Sequence, residues 1–407
     1  MKIGLLERVF IGFVVGVIVG AIVGPAASSI KFFGDIFIRL LQMLVIPLVF
    51  STLAVGVAGV GGVKLGRVFG KTLFFYYITC IFALIIGLTM ANAFNVGTGI
   101  ALGELAQMEI QTPPPFRDVL LNIIPTNIVD AMAKATMLQV VFFAIVFGIA
   151  MGWAGQASEM VKSLLQSIAD IMYKIVSMVL LYAPIGVFAL MAWTVGNHGL
   201  SVLKPFGTLI LVVYVGCLIH VFVVHAIFVR IFCKINPFRF LNKVKEAPIY
   251  AFTTTSSSAT LPVTLRVVRA AGVSDSVSGF VLPIGATLNM DGTALYQTVA
   301  AVFVANALGL SLSMQQQVII AVTALLASIG TAGVPGAGLI MLMTVLSSAG
   351  IPVEGVALIA GIDRILDMAR TSVNVVDDIT AAAMVATTEG ERLSEDLYVR
   401  PQVSRKA

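Results

Sequence analysis

Long apolar stretches follow one another along the first half of the chain, each separated from the next by a short polar or basic segment. They lie near 5–24, 33–60, 68–95, 119–152, 160–193 and 205–233. A helix needs about 20 apolar residues to cross the hydrocarbon core of a bilayer. The pattern therefore predicts six membrane-spanning helices, several of them long enough to be tilted or bent.

Shorter apolar arms replace the long stretches in the second half. Two arms near 246–270 flank a run of six Ser and Thr residues, and two more near 316–349 flank the Gly-rich stretch 328–338. Arms of about 10–14 residues are too short to span, so each pair predicts a re-entrant hairpin. Between the pairs, 280–308 is long enough to span but is interrupted at 289–293. Paired broken segments at membrane depth indicate the binding site of a transporter.

The last apolar segment, 361–380, carries a stripe of polar side chains. On a helix that advances about 100° per residue, they fall within an arc of roughly 100°. The stripe comprises Asp363, Asp367, Arg370, Thr371, Asn374 and Asp378. Ionised groups at membrane depth are costly, so we expect them to face a cavity and to bind something. A carboxylate less than one turn from a guanidinium suggests a ligand that bears both charges, although Asp363 has the alternative of pairing with Arg364 or another helix.

Composition agrees with a membrane protein. The chain has 407 residues, of which 11% are charged, and its mean hydropathy is +1.03. Soluble domains carry about 25% charged residues, so we predict an all-α polytopic membrane protein. The net charge of +5 does not indicate nucleic-acid binding, because the basic residues cluster beside the spans. The histidines His198, His220 and His225 form no recognisable ligand set, and the sequence assigns them no role.

The basic clusters also predict the topology. They precede the first span, separate the second from the third, follow the sixth and end the chain. The positive-inside rule then places both termini in the cytoplasm of a protein of the plasma (inner) membrane. By the same rule the hairpin at 246–270 enters from the cytoplasmic side and the hairpin at 316–349 from outside.

Three classes of function fit these features to different degrees. A secondary transporter for a zwitterionic or acidic solute uses the whole stripe. An intramembrane protease with Asp291 and Asp367 as its catalytic pair leaves Arg370 and Asn374 without a role. A protease with a serine nucleophile needs a base beside the serine and would have to recruit one of the three distant histidines. A channel predicts a pore ring. We therefore expect a transporter and not an enzyme. No nucleotide-binding loop is apparent, so an ion gradient is the natural energy source, with Asp291, Asp378 and unwound backbone carbonyls as oxygen ligands for a hard cation.

The motifs of the second half resemble the dicarboxylate/amino acid:cation symporter family, the glutamate transporter homologues. They are TSSSATLPVT at 255–264, NMDGT at 289–293, SIGTAGVPGAG at 328–338 and LDMARTSVNVVDD at 366–378. The resemblance covers essentially the whole chain. It implies eight transmembrane helices, two re-entrant hairpins, inverted repeats and a homotrimer in the lipid bilayer.

The resemblance also implies two parts that move relative to each other. The scaffold would comprise mainly 1–65 and 119–193. The mobile transport part would comprise mainly 68–95 and 205–389, and 390–407 would form a cytoplasmic tail. Solute would cross the membrane by an elevator-like motion of the transport part.

By position, the resemblance assigns the substrate contacts. Arg370 resembles the clamp for the side-chain carboxylate, which its planar fork can grip with two hydrogen bonds. Asp367 resembles the acceptor of the amino group, and Thr371 and Asn374 resemble contacts to the amino and α-carboxylate groups. The remaining shell is implied at Ser257, Thr255, Thr293, Val334 and Gly338.

The resemblance further implies three sites for co-transported sodium, and no organic cofactor. The first comprises Gly285, Asn289, Asn374 and Asp378. The second comprises Thr287 with the carbonyls of Ser328, Ile329 and Thr331. The third comprises Tyr76, Thr79, Asn289 and Asp291, together with position 80.

Two positions depart from the family pattern. Cys80 stands where relatives usually have Ser or Thr, and a thiol is a poor ligand for a hard cation. The arginine that many relatives carry beside the serine run or just before Arg370 is absent, while Arg364 lies one turn earlier. Relatives that carry simple dicarboxylates tend to lack a carboxylate at the position of Asp367, and carriers of neutral amino acids tend to lack an arginine at that of Arg370. The resemblance therefore implies a sodium-driven symporter for aspartate or glutamate. The alternative is a proton-coupled or C4-dicarboxylate symporter of the same family.

Overall fold

The computed structural model describes residues 5–58, 63–99, 121, 124–134, 136–200, 203–331, 333 and 335–397. Within these ranges every regular element is helical and no strand is found. The prediction of an all-α polytopic membrane protein is therefore confirmed.

Long helices occupy the first half, close to the predicted spans. They are α1 (Leu5–Val23), α2 (Lys31–Ala58), α3 (Val63–Ala93), α4 (Ile128–Ala133), α5 (Met137–Ala154), α6 (Glu159–His198) and α7 (Leu203–Ile219). Beyond α7 the same rod continues to Cys233 through π-helical turns at His220–His225 and Val229–Cys233. By length and composition, the membrane-crossing stretches among the described residues are Glu7–Phe37, Arg67–Ala93 and Leu203–Cys233.

The fourth predicted span, 119–152, contains the described helices α4 and α5. Residues 119, 120, 122 and 123 lie outside the described residues, and α4 begins at Ile128. Asn127 sets this start, because its side-chain oxygen accepts hydrogen bonds from the N–H groups of Val129 (2.9 Å) and Asp130 (3.3 Å). Such an N-cap satisfies backbone donors that have no partner inside the helix.

The second half contains shorter helices. They are α8 (Pro237–Val244), α9 (Glu246–Thr254), α10 (Ser257–Ala270), α11 (Asp275–Leu288), α12 (Asp291–Ala307), α13 (Met314–Gly330), α14 (Ala337–Ser348), α15 (Val356–Ala360) and α16 (Asp363–Thr388). The pairs α9–α10 and α13–α14 are the two predicted hairpins. Among the described residues, counting α4 with α5, α11 with α12 and α15 with α16, and setting aside the eight-residue α8, leaves eight rods, the number of helices that the resemblance implied.

Local backbone chemistry sets the hairpin tips. Thr255 adopts a left-handed conformation (φ 51°) at the end of α9, which is costly for a β-branched residue. Ser256 then caps α10 by accepting a hydrogen bond from the N–H of Ala259 at 3.1 Å. The two tips touch, because Gly333 O accepts hydrogen bonds from Ser256 Oγ (2.7 Å) and Ser258 N (3.2 Å).

Close backbone contact joins α1 to α6. Glycines recur every fourth residue on the face of α1 that meets α6, a spacing that lets membrane helices approach closely. A Cβ added at each would meet a carbonyl oxygen of α6: Gly12 with Pro184, Gly16 with Phe188, and Gly20 with Ala192. The helices α1, α2, α5 and α6 pack on one another, while α16 packs on α3, α7, α9, α11 and α12.

Candidate transport site

The guanidinium of Arg370 lies at the centre of the polar stripe and is 1% exposed. Its Nη1 donates to Asp363 Oδ1 and its Nε to Asp367 Oδ1, both at 2.8 Å. The ring of Tyr296 lies beneath it, with the guanidinium carbon 4.5 Å from the ring centroid. Two carboxylates and an aromatic face therefore hold the cation in one orientation. Asp363 thus pairs with Arg370 on its own helix, whereas the sequence had offered Arg364 or another helix as its structural partner.

Asp367 connects this cation to the second hairpin. Its Oδ2 accepts a hydrogen bond from the N–H of Gly336 at 3.0 Å, and its Oδ1 accepts one from Thr371 Oγ1 at 3.0 Å. Gly336 adopts φ 78°, a left-handed conformation that glycine adopts readily. A Cβ at Gly338 would meet the Arg370 guanidinium 2.8 Å from Cζ. The tip of the second hairpin therefore rests directly on the charged pair.

A small polar cavity lies between the hairpin tips and α16. Its volume is about 10 Å³, room for about one water molecule. Its lining residues are Thr255, Ser257, Met290, Thr293, Thr331, Gly333, Gly338, Asp367, Arg370, Thr371 and Asn374. The fold thus brings together every residue that the sequence assigned to the substrate except Val334, which lies outside the described residues.

Asn374 binds the break in the interrupted span. Its Oδ1 accepts hydrogen bonds from the N–H groups of Gly292 (2.9 Å) and Thr293 (3.3 Å), and its Nδ2 donates to Thr293 Oγ1 at 3.1 Å. The start of α12 leaves these backbone donors without intrahelical partners. The predicted substrate contact therefore also fixes the position of α12 relative to α16.

The residues of the first predicted cation site converge. Asn289 Nδ2 donates to Asp378 Oδ1 at 3.0 Å. A Cβ on Gly285 would meet both Asp378 Oδ1 and the hydroxyl of Tyr76. Glycine is therefore required at 285, and the site offers carboxylate, amide and hydroxyl oxygens in a buried position. Asn374 lies one turn away on α16, engaged with Thr293.

The second predicted cation set lies where α11 and α13 end near each other. Thr287 Oγ1 donates to Ile284 O at 2.9 Å, Ser328 Oγ to Leu325 O at 2.7 Å and Thr331 Oγ1 to Ala327 O at 2.7 Å. The backbone of Ile329 belongs to α13. These hydroxyl groups donate to backbone carbonyls of their own helices. Carbonyl oxygens at the helix ends are therefore the ligands that remain available for a cation.

The third predicted cation set is divided between two clusters. Tyr76 and Asn289 lie with Asp378, as described above. Asp291 is instead hydrogen-bonded to His220, with its Oδ2 lying 2.9 Å from His220 Nε2. Thr79 Oγ1 lies 3.2 Å from Asp377 Oδ1, and Cys80 Sγ lies 3.8 Å from Ser328 Oγ.

Asp291 belongs to a buried cluster of histidine and aspartate side chains that the sequence did not reveal. The rings of His220 and His225 meet edge to face with centroids 4.6 Å apart. His225 Nε2 lies 3.9 Å from Asp377 Oδ1. His220, His225 and Asp291 each present an atom within 4.8 Å of the others. The sequence analysis recognised no ligand set among the histidines, whereas the structure brings His220 and His225 together with Asp291.

The chain is similar to known transporters along nearly its whole length. A sequence model of the sodium:dicarboxylate symporter family matches residues 5–388. The proton/glutamate-aspartate symporter of Escherichia coli (strain K12) is 40% identical over 369 residues, covering 88% of this chain and 84% of the relative. The proton/sodium-glutamate symport protein of Geobacillus stearothermophilus is 38% identical over 403 residues, covering 96% of each. A C4-dicarboxylate transport protein of Agrobacterium fabrum is 36% identical over 407 residues, covering 97% of this chain and 90% of the relative. The chain is therefore a membrane transporter that belongs to the sodium:dicarboxylate symporter family.

Proposed function

We propose that this protein takes up aspartate or glutamate by symport with sodium. The observation that carries the proposal is the Arg370–Asp367 pair at the cavity, with its two charges 2.8 Å apart. The amino group and the side-chain carboxylate of an acidic amino acid present the complementary charges. Relatives named for glutamate or aspartate transport support this substrate class.

A substrate would bind by replacing contacts that the site now makes internally. Its side-chain carboxylate would accept hydrogen bonds from Arg370 in place of part of the Asp363 interaction. Its ammonium group would donate to Asp367, whose Oδ2 now accepts from Gly336 N. The cavity of about 10 Å³ is too small for an amino acid, so the second hairpin must move away from α16 before binding.

Sodium coupling is proposed at Asp378. Its neighbours Asn289 and Tyr76 supply further oxygen atoms, and oxygen is the ligand that hard cations prefer. Because Asn289 precedes α12 and Asn374 binds the first turn of that helix, a cation at Asp378 would order the break beside the substrate cavity. This shared backbone is the proposed physical link between sodium binding and substrate binding.

The wider architecture is proposed from the packing and the resemblance. The helices α1, α2, α5 and α6 would form the scaffold of a homotrimer, and the helices packed around α16 would form the part that moves as an elevator. Both termini would lie in the cytoplasm, and the protein would reside in the plasma membrane. The second hairpin would be the external gate and the first hairpin the internal gate.

Proton coupling is a second candidate, favoured by a specific observation. His220 Nε2 lies 2.9 Å from Asp291 Oδ2 in a fully buried position, and an imidazole and a carboxyl group in hydrogen-bond contact can share one proton. The relative from Escherichia coli is named as a proton symporter. A C4-dicarboxylate substrate, suggested by the name of another relative, is less favourable because it would leave Asp367 without an ammonium partner.

Uptake of labelled aspartate into proteoliposomes tests the proposal. Sodium and proton gradients are imposed separately, with the membrane potential clamped. We expect accumulation with an inward sodium gradient at equal pH on both sides. Accumulation with a proton gradient alone, and its loss in His220→Gln, would instead establish the second candidate.

A further inference from the structure

A second, much larger cavity lies behind the polar stripe. Its volume is about 490 Å³, within the range of about 300–1,000 Å³ that small-molecule sites occupy. The rod formed by α7 and the π-helical turns makes one wall, while α8, the arm α9 and helix α16 make the others. None of the residues that line it takes part in the substrate cavity or in the predicted cation sites.

The cavity opens onto an apolar surface. Leu218 (54% exposed), Phe222 (49%) and Phe238 (61%) line it and also reach the outside of the protein. An apolar rim of this kind faces lipid in a membrane protein, because water would not cover it favourably. An occupant would therefore arrive from the bilayer.

One cation lies at the mouth. Lys245 lines the cavity at the junction of α8 and α9, and its Nζ donates to the neutral oxygen of Asn242 at 3.0 Å. Two nearby basic residues form ion pairs: Lys243 pairs with Asp396 at 2.8 Å, and Arg266 pairs with Glu246. Among the described residues no carboxylate forms an ion pair with Lys245. The mouth thus combines an apolar cleft with a positive charge that lacks a negative partner.

We propose that this cleft binds an anionic phospholipid of the bilayer, with one acyl chain in the cavity and the headgroup at Lys245. Each methylene group of an acyl chain that leaves water contributes about 0.8 kcal/mol in binding. A lipid that is already in the bilayer has no contact with water to lose, so that contribution is largely absent. The charge of Lys245 therefore supplies the selectivity for an anionic over a zwitterionic lipid. A basic residue near the membrane surface contributes about 1 kcal/mol toward an anionic headgroup, which is about fivefold in affinity.

The bound lipid would contact the back of the substrate helix. Ala369, Val373 and Val376 form the cavity wall on α16, and they alternate with the stripe residues on the opposite face. Ser372 Oγ donates to Pro248 O at 2.7 Å, which joins α16 to the arm of the first hairpin at the same wall. The lipid would therefore brace the first hairpin against α16. This inference does not depend on which solute or ion is transported.

Photo-crosslinking in nanodiscs tests the proposal. The probes are a photoactivatable phosphatidylglycerol and a phosphatidylcholine with identical acyl chains, and the crosslinked peptides are identified by mass spectrometry. In wild type we expect the anionic probe to label peptides of α8, α9 and α16 about fivefold more than the zwitterionic probe. Lys245→Gln should remove that preference, and the matched variant Lys234→Gln, at the end of the same rod, should retain it.

A second variant separates the acyl chain from the headgroup. Leu218→Trp enlarges a half-exposed side chain on the cavity wall and should reduce labelling by both probes, while size-exclusion chromatography confirms an unchanged assembly. Equal labelling by the two probes in wild type, an effect of Lys234→Gln as large as that of Lys245→Gln, or no labelling of the α8, α9 and α16 peptides by either probe would each overturn the proposal. The last result would mean that no lipid occupies the cleft.

Discussion

Arg370 Nε donates a hydrogen bond to Asp367 Oδ1 at 2.8 Å, three residues earlier on the same helix. The same guanidinium binds Asp363, and the same carboxylate binds the tip of the second hairpin through Gly336 N. One ion pair therefore connects the charges of the proposed binding site with the tip of the second hairpin. A ligand with an ammonium and a carboxylate would separate the pair and satisfy both members, which would free the hairpin to close over the ligand in a new arrangement.

Arg370→Lys should weaken aspartate binding by about 10- to 100-fold. Lysine retains the charge but lacks the planar fork, so one charge-assisted hydrogen bond worth about 1.5–3 kcal/mol is lost. The measurement is aspartate binding to purified protein at saturating sodium. We choose lysine because alanine would leave Asp363 and Asp367 buried without a cation, which risks unfolding the protein.

Arg266→Lys is the control for this substitution. Arg266 pairs with Glu246 in the first hairpin with both side chains exposed, so its replacement should leave aspartate affinity unchanged. Equal affinities in wild type and Arg370→Lys would refute the assignment of Arg370 as the carboxylate clamp.

Asp378→Asn should weaken sodium binding before it affects aspartate itself. The amide retains an oxygen but removes the negative charge next to Asn289 and Tyr76. We expect the sodium concentration for half-maximal uptake to rise about tenfold or more, equivalent to about 1.4 kcal/mol. Asp130→Asn is the control, because Asp130 forms an exposed pair with Lys134 on α4. An unchanged sodium dependence in Asp378→Asn would show that this carboxylate is not a sodium ligand.

Pro335→Cys tests the second hairpin as the external gate. The tip at 328–338 is rich in glycine, which adopts conformations closed to other residues, so we expect it to be a mobile lid. Ala332 and Val334 of this tip lie outside the described residues. Pro335 is half-buried beside Gly336, and the native Cys80, Cys217 and Cys233 are buried. An impermeant thiol reagent added outside should label Pro335→Cys, and aspartate with sodium should slow the labelling.

Thr98→Cys provides the reference for that experiment. Thr98 is exposed in the turns that follow α3, on the side predicted to be external, so its labelling should not change with substrate. If substrate left the rate at position 335 unchanged as well, the second hairpin would not be a substrate-dependent lid.

Much of this site is predictable from local patterns. The stripe on α16 follows from helical periodicity, and the hairpins follow from apolar arms that are too short to span. The substrate residues come from four separate segments, yet their motifs identify them individually, and all of those that the structure describes line one cavity.

The histidine cluster could not be predicted in the same way. Residues five apart on an α-helix point about 140° apart, so His220 and His225 look unrelated in the sequence. The rod is π-helical between them, and this register brings their rings to 4.6 Å. The sequence analysis also assigned no contact to Asp377, because its hydrogen-bond partner Thr79 is far away in the chain. Insertions of π-helix frequently mark functional sites, but the sequence carries no clear signal for them.

Asp367→Ser should narrow the difference in affinity between amino acid and dicarboxylate ligands. Serine removes the partner of the ammonium group, so aspartate should lose affinity while succinate, which lacks that group, should lose little. The measurement is competition of succinate and fumarate against labelled aspartate in the variant. A variant that still prefers aspartate by the wild-type ratio would argue that Asp367 does not bind the ammonium group.

Competition in the wild-type protein tests the central claim most directly. Succinate is titrated against uptake of labelled aspartate in proteoliposomes with an inward sodium gradient. Succinate would bring two carboxylates beside Asp367 with no ammonium to pair it, and an unpaired buried charge costs about 3–5 kcal/mol. The account predicts that succinate competes at concentrations about 100-fold or more above those of unlabelled aspartate. Competition by succinate at lower concentrations than aspartate would contradict it and would identify the protein as a dicarboxylate transporter.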